Sequence, residues 1–264
     1  MLDKERFDIV CDMVVNSVAT RDGIGTLSEK TLHSVLKNYY EPDSSKQEIK
    51  IGAKVADILN ETGVIEVQTR QFNKLRGKLG AFLPKHPVTI VYPIASCKWL
   101  CWIDETTGEV TPRRKSPKKG KPHQIFVELY KIKEYLNNPN LRLRIVMVEV
   151  EEYRFLNGWS KDRKKGSSCS DRIPIGLDDE INIDSVSDYS KMIPEELPEQ
   201  FTTKDYSKIA KVPISLAQVS LNVMCSVGAI NLVGKQGRLK LYERNYKLLT
   251  KNKSVSKQKK ESIN

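Results

Sequence analysis

No run of eighteen apolar residues occurs in the 264-residue chain, so no segment is long enough to cross a bilayer as a helix. Histidine is scarce, at three, and the five cysteines (Cys11, Cys97, Cys101, Cys169, Cys225) are scattered and odd in number. Cys97 and Cys101 form a lone CxxxC with no second pair. A structural zinc site needs four ligands, so reduced thiols and a cytosolic setting are the expectation. The opening MLDKERFDIVCDMVV places acids before its apolar stretch and has no small-residue cleavage site, so it is not read as a secretory signal. Acids are almost missing from the last quarter: from Gln200 onward three Asp/Glu stand against thirteen Lys/Arg. That balance of +10 accounts for nearly all of the net charge of +11. Such a contrast suggests a module that meets a polyanion. The plainer alternative is a solvated, disordered basic tail, because KNKSVSKQKKESIN alone supplies five lysines.

What is present suits a globular protein: 39% of residues are hydrophobic and 29% charged, with length for one large domain or two modest ones. Residues 1–22 read as an amphipathic helix carrying Phe7, Val10, Cys11 and Val14 on one side, broken by RDGIG. TLSEKTLHSVLKNYY (26–40) is a second helix, in which Glu29, His33 and Lys37 recur every four residues and share a face. EIKIGAKVADIL and GVIEVQ read as β-rich, turning at NETG. RQFNKLRGKLGAFL (70–83) is helical, and VTIVYPI is a buried strand by its β-branched content. A hairpin or loop pair follows, with six basic residues between Arg113 and Lys121. HQIFVELYKIKEYLN is a helix and LRLRIVMVEVEEYRF a long strand. The acidic stretch 177–199 is read with its neighbours as a charged linker.

Asp57 follows a short apolar run, Glu66 lies in the next one, and Gln68 has the same strand parity as Glu66. Phosphodiester cleavage needs a divalent ion that neutralises the phosphate and lowers the pKa of an attacking water. Mg²⁺ takes hard oxygen ligands, commonly one or two carboxylates with waters. Flanking apolar residues place both acids where an isolated charge is costly. The order of a helix with Glu29, ADIL with Asp57, IEVQ with Glu66 and Gln68, then a basic helix resembles the PD-(D/E)XK nuclease superfamily. The nearest likeness is to its Holliday-junction-resolvase-like and restriction-endonuclease-like members, over about residues 23–95. The resemblance implies that Asp57 and Glu66 bind Mg²⁺ or Mn²⁺, and that Glu29 is the acidic residue of the first helix. Gln68 stands where the superfamily usually has lysine. The carbonyl of Val67 is a further candidate ligand, Lys78 a candidate substitute cation, and His33 a candidate for the site edge.

The C-terminal segment opens with Thr202 as N-cap and Asp205 completing a capping-box pattern. PISLAQVSLNVMCSVG is the next helix, stopped at Gly228, and AINLVGKQGRLKLYER is a hairpin. Helix, turn, helix and hairpin is the plan of a winged helix-turn-helix. With Leu216, Ala217, Leu221 and Met224 inward, Ser215, Gln218 and Asn222 face outward, where Gln and Asn suit adenine edges. Lys235, Arg238 and Lys240 suit backbone contacts. Arg113, Arg114, Lys115, Lys118 and Lys119 form a loop read as contacting phosphates.

The expected architecture is therefore α/β: an N-terminal helix (1–22), a mixed sheet flanked by helices in a nuclease-like domain (23–160), a linker (161–199), a small winged-helix α+β domain (200–247) and a basic tail (248–264). The expected function is a DNA-binding protein with a Mg²⁺-dependent nuclease-like domain, acting on duplex or branched DNA, with no membrane and a homodimer left open. The rival is a non-catalytic DNA-binding regulator on the same fold, and a third reading is an RNA-processing nuclease.

Overall fold

The structure, a computed structural model, describes residues 2–19, 30–155 and 168–245. Six α-helices and ten strands run along them. In order these are α1 (Lys4–Ala19), α2 (Lys30–Tyr40), β1 (Gln47–Ile51), β2 (Lys54–Asn60), β3 (Gly63–Val67), α3 (Arg76–Phe82), β4 (Val88–Ile103) and β5 (Arg114–Lys115). There follow α4 (Ile125–Leu129), β6 (Leu141–Phe155), β7 (Ser168–Ile183), β8 (Gln200–Thr202), α5 (Thr203–Ile209), α6 (Ile214–Ser226), β9 (Ile230–Gln236) and β10 (Leu239–Arg244). The chain forms two compact units that interleave in sequence: residues 1–69, 90–121 and 145–180 in the first, and 70–89, 122–144 and 181–264 in the second.

The first unit holds most of a seven-stranded sheet in the order β1-β2-β3-β4-β6-β7, with β5 paired to β4. β1–β2, β2–β3 and β4–β5 are antiparallel. β4 and β6 run parallel, since Val88 N–H meets Asn140 O at one end and Ser96 Oγ meets Val148 O further along both strands. The sheet is therefore mixed. One apolar stripe explains its helical cover: Phe7, Val10, Cys11 and Val14 of α1 and Leu32, Val35, Leu36 and Tyr39 of α2 share a buried cluster with Ile58, Ile65, Val67, Val91, Val146, Val148 and Val150. Each such side chain removed from water stabilises the fold by about 1.5–3 kcal/mol.

A tight seat fixes the loop after β5. Gly120 donates its N–H to Ala95 O at 2.9 Å, and a Cβ there would lie 2.3 Å from that oxygen and 2.6 Å from Ile94 Cγ2. Gly120→Ala is expected to destabilise the protein by about 2 kcal/mol, because backbone must move to admit the methyl group. A denaturant melt showing no loss would contradict this packing.

The second unit packs α3, α4 and a 3-10 segment over Tyr130–Tyr135 with the C-terminal elements. Its interior holds Phe72, Phe82, Ile125, Phe126, Phe201 and Tyr206, all under 2% exposed. Buried Glu128 accepts from Phe72 N–H at 2.8 Å and from Lys131 Nζ at 2.7 Å, tying the start of the α3 region to α4. The C-terminal elements make a separate three-stranded sheet, β8-β10-β9.

Several expectations need correction. Residues 161–199 are not a linker throughout, because 168–183 form the sixteen-residue β7 and Val186–Met192 a 3-10 segment. The apolar alternation of Ile173, Ile175, Leu177, Ile181 and Ile183 supports a strand, and its acids find partners: Tyr40 Oη donates to Glu180 at 2.7 Å, and Ser96 Oγ donates to Asp178. The strand expected over 88–94 continues to Ile103, so the hairpin or loop pair shrinks to β5 returning on Trp99 and Leu100. The helix expected over 70–83 opens as a 3-10 turn at 72–75 before the α segment at 76–82, and the one expected over 123–137 is mostly 3-10 around a short α segment at 125–129. The boundary at 200 does not separate two bodies, since 200–245 folds with 70–89 and 122–144.

Candidate functional site: a carboxylate pair and two basic surfaces

The paired register of β2 and β3, Ile58 with Ile65 and Leu59 with Val64, continued by one step sets Asp57 opposite Glu66. The strands separate around this point. On the β1 side the ladder passes from Gln47–Ile58 to Ile49–Ala56, and Glu48 in the gap takes φ +53°, a left-handed conformation uncommon outside glycine. In that opening Asp57 Oδ2 accepts from Val67 N–H at 2.8 Å and lies 3.4 Å from His33 Nε2. The carboxylate thus takes the place of a ladder carbonyl and meets α2. His33, expected at the site edge, is brought there. Nearby Lys37 Nζ donates to Glu48 at 2.6 Å.

Glu66 lies between Ile65 and Val67, which both belong to the α1–α2 cluster, so strand alternation turns it to the other face of the sheet. It is 1% exposed. Gln68 follows with the same parity, half-buried, its N–H donating to Val91 O at 2.9 Å. Asp57, Glu66, Gln68 and the Val67 carbonyl therefore fall within one short piece of the sheet. Lys78 belongs to the second unit, and Glu29 lies outside the described residues. Two carboxylates and a carbonyl are hard oxygen donors of the type Mg²⁺ takes. Among the described residues no group of three or more His, Cys, Asp or Glu is placed to hold a metal ion.

The basic loop divides in two. Arg114, Lys118 and Lys119 are exposed. Arg113 donates to Glu151 at 2.8 Å and its guanidinium stands 4.7 Å from the Trp99 ring centre, over which Lys115 also sits at 5.0 Å. Trp99 Nε1 donates to Glu149 at 2.9 Å. Arg113 and Lys115 are thus engaged with their own sheet, a role that sequence spacing did not suggest.

The C-terminal elements carry the expected capping box, inter-helix turn and hairpin. Thr202 N–H donates to Asp205 Oδ2 at 2.8 Å and Thr202 Oγ1 accepts from Asp205 N–H, closing the capping box. Lys211 at φ +53° turns the chain from α5 into α6, and Gly228 at φ +79° ends α6. Ala217, Leu221 and Met224 are buried and Leu216 is half-buried, while Ser215, Gln218 and Asn222 are exposed. Asn222 accepts from Lys133 Nζ at 2.9 Å. Lys235, Arg238 and Lys240 are exposed on the β9–β10 hairpin. Within 200–245 seven Lys/Arg stand against two Asp/Glu, so the described part carries a balance of +5 without the tail.

Sequence reading missed one cluster entirely. Glu152 on β6 is fully buried among Lys98 of β4, Arg154 of β6 and Arg172 of β7. Burial acts to raise its carboxyl, but the Arg172 hydrogen bond and the charges of Lys98, Arg172 and Arg154 outweigh it and hold the group down to about 2. The available signal was the run of acids inside an otherwise apolar strand, VMVEVEEY.

No solved structure matches the chain. An uncharacterized protein of Treponema pallidum (strain Nichols) is 29% identical over 230 residues, spanning 84% of this chain and 87% of that one. A family described as a domain of unknown function, DUF8091, matches residues 30–184, which is more than half of the chain, and the chain belongs to that family.

Proposed function

We propose that the protein binds duplex DNA through a winged helix built from β8, α5, α6, β9 and β10. The observation that carries this reading is the strand order β8-β10-β9 beside a two-helix turn, with an uncharged polar face on α6 and a basic hairpin next to it. In this reading α6 enters the major groove, where Gln218 and Asn222 offer paired donor and acceptor groups to base edges. Asn222 exchanges its Lys133 contact for the base. Lys235, Arg238 and Lys240 approach the phosphates and fix register. The test is fluorescence anisotropy on a panel of duplexes. Gln218→Ala and Asn222→Ala are each expected to lose about 1–3 kcal/mol of discrimination between preferred and altered sites. Equal loss on every sequence would assign these residues to the backbone instead.

A second reading, phosphodiester cleavage at Asp57 and Glu66, is favoured by the order α2, β1-β2-β3, α3, β4. The PD-(D/E)XK resemblance implies that element order. The Asp57 carboxylate is engaged with α2 while Glu66 turns to the other face of the sheet, so the two do not converge on one Mg²⁺ or Mn²⁺ ion as they stand; cleavage would require them to turn together, the ion then supplying charge neutralisation and a more acidic water. His33 holds the Asp57 carboxylate from α2, and Gln68 can donate to and accept from a water without adding charge. Plasmid, branched and single-stranded DNA incubated with the metal should be nicked, and Asp57→Asn or Glu66→Gln should abolish nicking while the melting temperature stays in the folded range. If the native chain leaves all three substrates intact while still binding them, the protein is a non-catalytic regulator.

A further inference from the structure

A groove of about 220 Å³ opens between α6 and the β9–β10 hairpin, lined by Lys133, Asn222, Cys225, Leu232, Lys240 and Tyr242. All of these residues belong to the second unit. Tyr242 pairs with Leu232 across the hairpin, and Lys240 stands two residues before Tyr242 on β10, so the three side chains share one face. Tyr242, 6% exposed, lies inward beside Cys225 of α6, whereas Leu232 remains 50% exposed. Val233 is an extra residue between the pairs Leu241–Gly234 and Tyr242–Leu232, and such a bulge bends its strand. Lys133 enters from the Tyr130–Tyr135 segment, its Nζ donating to Asn222 Oδ1 at 2.9 Å and standing 5.3 Å from the Tyr130 ring centre. Neither of those partners carries a negative charge. Among the described residues no carboxylate pairs with Lys133 or Lys240.

We infer that this groove binds a small organic carboxylate. Its charged end lies between the Lys133 and Lys240 ammonium groups, and its apolar body rests on Leu232, Cys225 and Tyr242. An ammonium has three donors, and Lys133 uses one on Asn222, so donors remain on both lysines for the two carboxylate oxygens. Ammonium groups on flexible stems select charge rather than shape. The walls make the finer choice. A bare anion such as acetate or phosphate satisfies the lysines but leaves Leu232 in water, whereas an apolar body covers it and gains the hydrophobic contribution. The volume is smaller than the roughly 300–1,000 Å³ of pockets that take drug-sized molecules, which limits that body to about one ring. Asn222 and Lys240 are the groups assigned above to a base edge and a phosphate, so a bound carboxylate withholds both from DNA. That antagonism rests on the winged-helix reading, and the carboxylate site itself does not.

The test is ¹H–¹⁵N NMR of the full chain titrated with benzoate against chloride at matched ionic strength. Saturable shifts of the Asn222, Cys225 and Leu232 amide signals, with a Kd on the order of 1 mM, are expected. Acetate, which lacks the ring, and benzamide, which lacks the charge, should each bind about tenfold more weakly. Lys133→Met and Leu232→Ser should each weaken benzoate binding about tenfold, and the same spectra report that the variants are folded. The absence of saturable shifts with benzoate, an analogue that binds as tightly, or unchanged affinity in either variant would overturn the proposal. At ten times its Kd, benzoate should also weaken duplex binding about tenfold in an anisotropy competition. A chain that binds benzoate but no duplex keeps the carboxylate site and sinks the winged-helix reading. A chain that binds both without competition overturns the antagonism.

Discussion

Replacing Lys235, Arg238 and Lys240 together by glutamine is expected to lower the affinity of the full chain for duplex DNA by on the order of a hundredfold at low salt. The three side chains are exposed on β9, β10 and the turn between them and contribute nothing to the interior, so folding should be unchanged. Each cation that neutralises a phosphate releases condensed counterions, and the slope of log affinity against log salt falls by roughly one per contact. The variant should therefore lose a slope of about three, equally on every sequence. That uniform loss separates the hairpin from α6, where Gln218→Ala and Asn222→Ala alter the ranking of sites. Anisotropy titrations across a salt series measure both effects at once.

Glu152→Gln carries the largest stability effect expected for a single side chain here. Its carboxyl, ordinarily near 4.5, is held at about 2 by Lys98, Arg154 and Arg172 against the opposing effect of burial. A carboxyl whose folded value is depressed adds stability above its ordinary value and loses it as pH falls toward the folded value. Glu152 thus contributes about 3 kcal/mol at neutral pH, which fades between about pH 4.5 and 2. Glutamine keeps the shape but leaves three cations facing one another without a charge between them. The variant should be less stable by about 3 kcal/mol at neutral pH, and its difference from the native protein should close on acidification through that window. Urea melts at a series of pH values give the answer. A constant difference across the window would mean that packing, not charge, is what glutamine disturbs.

The parts of this fold that were legible in the sequence are those set by short-range chemistry. Thr202 and Asp205 specify a capping box within four residues, Gly228 is free to take the positive φ that ends α6, and the spacing of Ala217, Leu221 and Met224 separates the buried face of α6 from Gln218 and Asn222. The meander β1-β2-β3 also follows from local alternation and turns. What was missed depends on residues distant in sequence. β7 looked like linker because Asp178, Asp179 and Glu180 dominate its composition, yet partners such as Tyr40 and Ser96 stand 140 and 82 residues away. The later half of β4 looked like loop because Lys98 and Trp99 are polar or bulky, and their partners, Glu152 and Glu149, lie on β6. Glu152 draws on three strands, so no spacing along the chain shows it. The placement of Asp57 and Glu66 on adjacent strands was readable, whereas the contact of Asp57 with His33 needed α2 to be placed over the sheet.

Salt-dependent binding of duplex DNA by a chain ending at Asn245 tests the central claim most directly, because it removes the lysine-rich tail and keeps the described +5 balance of the C-terminal elements. The account predicts that this chain still binds, with a steep salt slope that the Lys235, Arg238 and Lys240 replacement then reduces. If binding disappears with the tail, and the tail peptide alone reproduces the affinity of the full chain, then β8, α5, α6, β9 and β10 do not bind DNA.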